Sequence, residues 1–279
     1  MKLSKITSAV LAFAIGAALG TAGHASTTSY NEGDLLIGFE QQNGSGGVTS
    51  NNYVFDLGSV SNFIGASAPL TFNLPTADLV SAFGSGWASN TGNVVQWGVI
   101  GASDLNSTLT LGSVTLQKNT LFYTQGQLNV GTQSIAPATA SNSSQKTINT
   151  NIQNFGNDFN GQTASTAGVN GAVIASNDAA GWSANSPATT SFGSGKDIEQ
   201  PSSGSYTGPT NSELDLYQLN NTTSTPGSKA ILLGDFTLSN AGVLTFTEPA
   251  AVPEPSAYAL GAIGAALFVV LRRRKVLAA

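Results

Sequence analysis

Ten short runs of β-branched and aromatic residues, each closed off by Gly, Asn, Ser or Pro, constrain this chain more than any other feature. They fall at Leu35–Phe39, Tyr53–Leu57, Leu70–Leu74, Val94–Ile100, Thr108–Gln117, Thr120–Thr124, Val169–Ala175, Leu214–Leu219, Ala230–Leu238 and Val243–Thr247. Such runs, closely spaced, predict a mainly β body built as an antiparallel β-sandwich or a barrel-like domain. Within Thr108–Gln117, Leu and Val alternate with Thr, so one face of that strand is expected to be buried and the other wet. Ser239-Asn-Ala-Gly242 supplies turn residues between the last two runs. One or two short helices are expected among the strands. Thr76 is read as the cap of one that runs to Ala82. The other runs from Ser144 to Phe159, where Ile148, Ile152, Phe155 and Phe159 share one face and should pack on the sheet. Two low-complexity stretches, 131–143 and 183–212, read as surface loops or partial disorder.

Charge and cysteine content then narrow the chemistry. Only 9% of residues are charged, against roughly 25% in an average soluble protein. Lys2 and Lys5 stand at one end, and Arg272, Arg273, Arg274 and Lys275 at the other. Between them lie four lysines, no arginine and all 15 acidic residues, a formal charge of −11. A surface of that sign repels phosphate backbones, so no nucleic-acid partner is expected. The absence of cysteine excludes disulfides, thiol catalysis and zinc–thiolate sites.

The two ends carry their own pattern. Lys2 and Lys5, an apolar run from Ala9 to Leu19, and Gly23-His24-Ala25 match a secretory signal peptide over residues 1–25, with cleavage expected between Ala25 and Ser26. This puts the Sec translocon among the expected partners. Near the C-terminus, Val252-Pro253-Glu254-Pro255-Ser256 precedes an apolar segment, Ala257–Leu271, and then Arg272, Arg273, Arg274 and Lys275. Its fifteen apolar residues give about 22 Å of helix, short of a ~30 Å hydrocarbon core, a gap that snorkelling arginines and local thinning can close. A transmembrane helix is therefore expected there, with the basic cluster on the cytoplasmic side of the inner membrane and the body, residues 26–251, outside.

Those three parts in that order resemble the PEP-CTERM sorting signal of Gram-negative bacteria. The body resembles such proteins too. Asp34-Leu-Leu-Ile-Gly-Phe39 and Tyr53-Val-Phe-Asp-Leu-Gly58 look like their opening, and Leu233–Ser239 with Gly242–Thr247 looks like their closing hairpin. The resemblance implies processing near Pro-Glu-Pro by the membrane protease exosortase, then release to the surface or matrix of a host that makes exopolysaccharide and biofilm. It implies no common activity for the body.

Little catalytic chemistry is left to the body. The only histidine, His24, falls within the signal peptide, so neither Ser-His-Asp nor Cys-His catalysis has its base. Carboxylate pairs remain as the material of a glycoside hydrolase: Glu32 with Asp34, Asp197 with Glu199, and Glu213 with Asp215. Trp87, Trp97 and Trp182 are read as core or loop anchors, too few for sugar platforms. The expectation is no cofactor and no metal. Ca²⁺ is the one ion that the oxygen donors Asp158, Asp197 and Glu199, with Asn157 and Asn160, would suit, although their spacing is not that of an EF-hand. The sequence thus reads as a non-enzymatic exported surface or biofilm-matrix protein, with a carbohydrate- or calcium-binding module as the alternative.

Overall fold

The computed structural model describes residues 26–42, 51–88, 94–127, 131, 133–134, 136–137, 142–185, 213–220 and 230–249. The expected signal peptide, the Pro-Glu-Pro, the apolar segment 257–271, the basic cluster, Asp197 and Glu199 lie outside them. Among the described residues no helix is long and apolar enough to cross a membrane.

Nine of the eleven strands form one sheet. They are β1 (Asp34–Gln42), β2 (Asn52–Ser59), β3 (Leu70–Asn73), β4 (Val94–Ala102), β7 (Leu121–Gly126), β8 (Gly171–Ile174), β9 (Glu213–Leu219), β10 (Ile231–Leu238) and β11 (Val243–Thr247). Their order across the sheet is β3-β11-β10-β9-β7-β4-β1-β2-β8, antiparallel throughout. The sheet curls into a half-barrel. The expected sandwich is thereby corrected. A sandwich hides one face of each of two sheets, whereas this single sheet buries apolar side chains on both of its faces.

The inner face gathers Leu35, Ile37, Phe39, Trp97, Phe122, Leu216, Phe236 and Phe246 around Phe63. Phe63 meets Phe246 edge-on, with ring centroids 5.1 Å apart. Helix α1 (Thr76–Phe83) follows β3 at one sheet edge and packs against β2 and β8 at the other, with Leu79 and Phe83 in the inner core. It spans the gap that hydrogen bonds between β3 and β8 would fill in a closed barrel. Asp78 clinches this seam, since its carboxylate accepts from Thr166 Oγ1 at 2.8 Å and interacts with the Tyr53 hydroxyl.

The outer face is covered by helix α2 (Asn142–Phe159), whose Ile152, Phe155 and Phe159 are fully buried against Leu36, Ile100, Tyr123 and Tyr217. The stripe read from the sequence packs as expected. The helix begins at Asn142, two residues before the expected Ser144, and ends at Phe159 as read. A third helix, α3 (Trp182–Asn185), brings Trp182 onto Phe155 edge-on at 5.9 Å.

Two other expectations are corrected. Thr108–Gln117 is a hairpin, β5 (Leu109–Leu111) and β6 (Val114–Leu116), turning at Gly112 with φ +59°. Its threonines are exposed and its Leu and Val half-buried or buried, as the alternation implied. Thr76 does not cap α1 through its side chain. Pro75 holds the cap position, and Thr76 Oγ1 donates to Ala241 O instead. The turn after β10 forms as read, with Gly242 N donating to Ser239 O at 3.0 Å.

Candidate functional site

The carboxylates paired by sequence nearness prove to do separate jobs. Glu213, Asp215 and Tyr217 stand at alternate positions of β9 and so share the outer face. Their polar atoms are occupied by a passing loop. Glu213 Oε2 accepts from Gly131 N, and Asp215 accepts from Gln127 Nε2 at 2.7 Å and from Ser134 N. Tyr217 donates its hydroxyl to Ser134 O at 3.1 Å. Asp215 is 2% exposed and thus closed to a substrate. Asp235, which sequence reading passed over, sits opposite Asp215 in the β9–β10 register. Burial, with the charges of Glu213 and Asp215, pushes its carboxyl above the usual range.

Glu32 and Asp34 likewise do not form a working pair. Glu32 is exposed in the turn before β1, whereas Asp34 is buried and accepts from Asn31 N and Nδ2 at 2.9 and 3.1 Å. The real neighbour of Asp34 is Asp56, on the next strand. A bulge between Leu35 and Leu36 shifts the β1–β2 register, so that Leu35 faces Gly58 and Leu36 faces Asp56. Burial first, and then the Asp34 charge, push the Asp56 carboxyl up to about 7, outweighing the Gly58 N–H that favours its ionised form. No spacing rule within one segment could have found this pair, because its members stand on two strands that only the fold pairs.

Of the calcium candidates, Asn157, Asp158 and Asn160 are exposed around the end of α2, and Asp158 O accepts from Gln162 Nε2. Among the described residues no three acidic groups converge as metal ligands would. The three tryptophans are core residues, as expected. Trp87, Trp97 and Trp182 are each 3% exposed or less, and Trp97 stacks on Phe39 at 6.4 Å. Gly38 makes the bed for Trp182, since a Cβ there would stand 1.7 Å from Trp182 Cε3.

Residues 26–30 form a docked strap. Ser26 O accepts from Ala164 N, Thr28 N donates to Gln162 O, and Thr28 O accepts from Gly161 N. Tyr30 lies flat over Gly156 of α2, where a Cβ would meet its ring at 2.3 Å.

Comparison with known proteins bears on the other end of the chain. A family model described as the PEP-CTERM protein-sorting motif matches residues 251–275, which contain Val252, Pro253, Glu254, Pro255, Ser256, the apolar segment, Arg272, Arg273, Arg274 and Lys275. The chain carries a PEP-CTERM sorting motif. No curated protein and no solved structure matches it. The motif supports an exosortase-targeted surface protein, exported by way of a membrane-anchored precursor. It does so through 25 residues, and the nine-stranded body stands apart from it.

Proposed function

We propose that this chain is a non-enzymatic surface or biofilm-matrix protein, passed through the Sec translocon, moored by residues 257–271 and released by exosortase near Pro253-Glu254-Pro255. The observation that carries the reading is the sorting motif at 251–275. The body supports a structural role in two ways. Its carboxylates on β9 are spent on holding a loop, and its tryptophans are spent on the core. The composition, rich in hydroxyl and amide groups and poor in charge, suits hydrogen bonding to exopolysaccharide.

Mass spectrometry of the extracellular fraction tests this. The expected species begins near Ser26 and ends near Pro253. Replacing Pro253, Glu254 and Pro255 together by Ala is expected to leave the chain in the membrane fraction with its basic cluster intact. A wild-type chain found outside the cell with Arg272, Arg273 and Arg274 still attached overturns the reading, as does release that the triple replacement leaves unchanged.

A further inference from the structure

The strap of residues 26–30 starts at the leader junction read between Ala25 and Ser26, and it is held residue by residue along α2 and the segment that follows. Ser26 O accepts from Ala164 N at 2.8 Å and its Oγ from Gly168 N at 3.3 Å, while Thr27 pairs with Thr163 in an antiparallel bridge. Thr28 is gripped through both backbone groups, its N donating to Gln162 O at 2.8 Å and its O accepting from Gly161 N at 2.9 Å. Its hydroxyl donates to Phe159 O. Ser29 exchanges two bonds with the Asn170 amide, its N donating to Oδ1 at 2.8 Å and its O accepting from Nδ2 at 2.9 Å. Tyr30 closes the row, 7% exposed, with its ring on Gly156 of α2.

We propose that this docking shuts the leader junction, so that the peptidase removing residues 1–25 cuts only while the strap is loose, and a body that folds first keeps its leader. The inference rests on the export reading above. Cleavage adds water across the Ala25 C–Ser26 N bond, leaving a carboxylate on Ala25 and an amine on Ser26. For this the enzyme must bring its nucleophile and oxyanion donors to the Ala25 carbonyl, and a proton donor to Ser26 N, each within about 3 Å. In the docked strap the first three residues after that bond already have their main chain bonded to 161–164, so the enzyme's cleft has no room to close around them. Space is short on the other side as well. From Leu19, where the apolar run ends, to Ala25 is six residues, at most about 22 Å of chain. The cut is therefore made close to the membrane, where a docked body would stand in the enzyme's place. Sequence separation supplies the interval for cutting. Phe159 follows Thr28 by 131 positions and Gly168 follows Ser26 by 142, so the junction stays bare until that much more chain has crossed the membrane.

The full chain, folded in detergent micelles and mixed with a purified bacterial signal peptidase, tests this, with the product that begins at Ser26 followed by mass spectrometry. Wild type is expected to be cut more slowly than Gly156→Ala by about tenfold or more, because cleavage reaches only the opened strap. Ala suits a helix interior better than Gly, so α2 keeps its form, but the added Cβ would stand 2.3 Å from the Tyr30 ring and unseat the strap. Asn170→Ala, which removes the bonds to Ser29, is expected to speed cleavage in the same way, and it decides the matter should Gly156→Ala fail to fold. Amide exchange protection retained in β1 and β4 shows that a variant body is folded. Wild type cut as fast as the folded variants overturns the proposal and leaves the export reading standing. A synthetic peptide of residues 1–30 is expected to be cut between Ala25 and Ser26. A peptide left whole overturns the leader, and the proposal with it.

Discussion

Gly38 shows how much one missing methyl group decides. On β1 it lies between Ile37 and Phe39, which point inward, and it faces outward beneath Trp182. Gly38→Ala puts a carbon into the indole, and overpacking of this kind costs roughly 1–3 kcal/mol or more. Denaturant unfolding should show that loss. In a Trp182→Ala background, itself worth about 3–5 kcal/mol, the same change should cost far less, giving a coupling energy well above the error of a double-mutant cycle. The β9 carboxylates give a second test at this scale. Asp215→Ala removes the acceptor of buried Ser134 N, a loss of about 1–3 kcal/mol, whereas exposed Gly131 N makes Glu213→Ala milder. Limited proteolysis within 127–137 should follow the same ranking.

Among the elements, the strands were the most legible, because each run of Val, Leu, Phe and Thr ends in a residue that turns the chain. β1, β2, β3, β4, β7, β8, β9, β10 and β11 each fall on a run read from sequence. The helical stripe of α2 was equally plain, and Ile152→Ala, fully buried there, should cost about 2–5 kcal/mol by denaturant unfolding, with Thr150→Ala on the exposed side near neutral. What failed was local. Thr108–Gln117 was read as one run, yet the positive φ of Gly112 turns it into the β5–β6 hairpin. Thr76 looked like a cap, yet Pro75 was already in the extended conformation that a cap requires. The Asp34–Asp56 pair escaped for a different reason. Its members lie 22 positions apart in the chain, and it is the antiparallel pairing of β1 with β2 that brings them together.

At the scale of the whole molecule, four carboxyl groups among the described residues have their ionisation pushed up, Asp56 by burial and Asp34, Asp78 by burial, Asp235 by burial and its acidic neighbours, and the more exposed Glu32 by burial and Asp104. A group raised in the fold stabilises it while protonated, so all four favour acid over neutral conditions. Asp104, held low by the N–H groups of Asn106 and Ser107 and by the Ser107 hydroxyl, acts the other way, but only below the ordinary carboxyl range, and it is exposed. The thermal midpoint is therefore expected to be higher near pH 5 than near pH 8, and the difference should shrink in Asp56→Asn. A midpoint that rises across that interval would contradict the burial assigned to these groups.

Tension gives β11 a further meaning. The strand ends at Thr247, a few residues before the sorting segment, and it lies one place in from the sheet edge, stitched to β10 on one side and to β3 on the other. In a membrane-anchored precursor, any drag on the body is delivered along this strand. Two rows of hydrogen bonds must then slide together, where an edge strand would unzip one bond at a time. The tether is thus attached where the fabric is double-sewn.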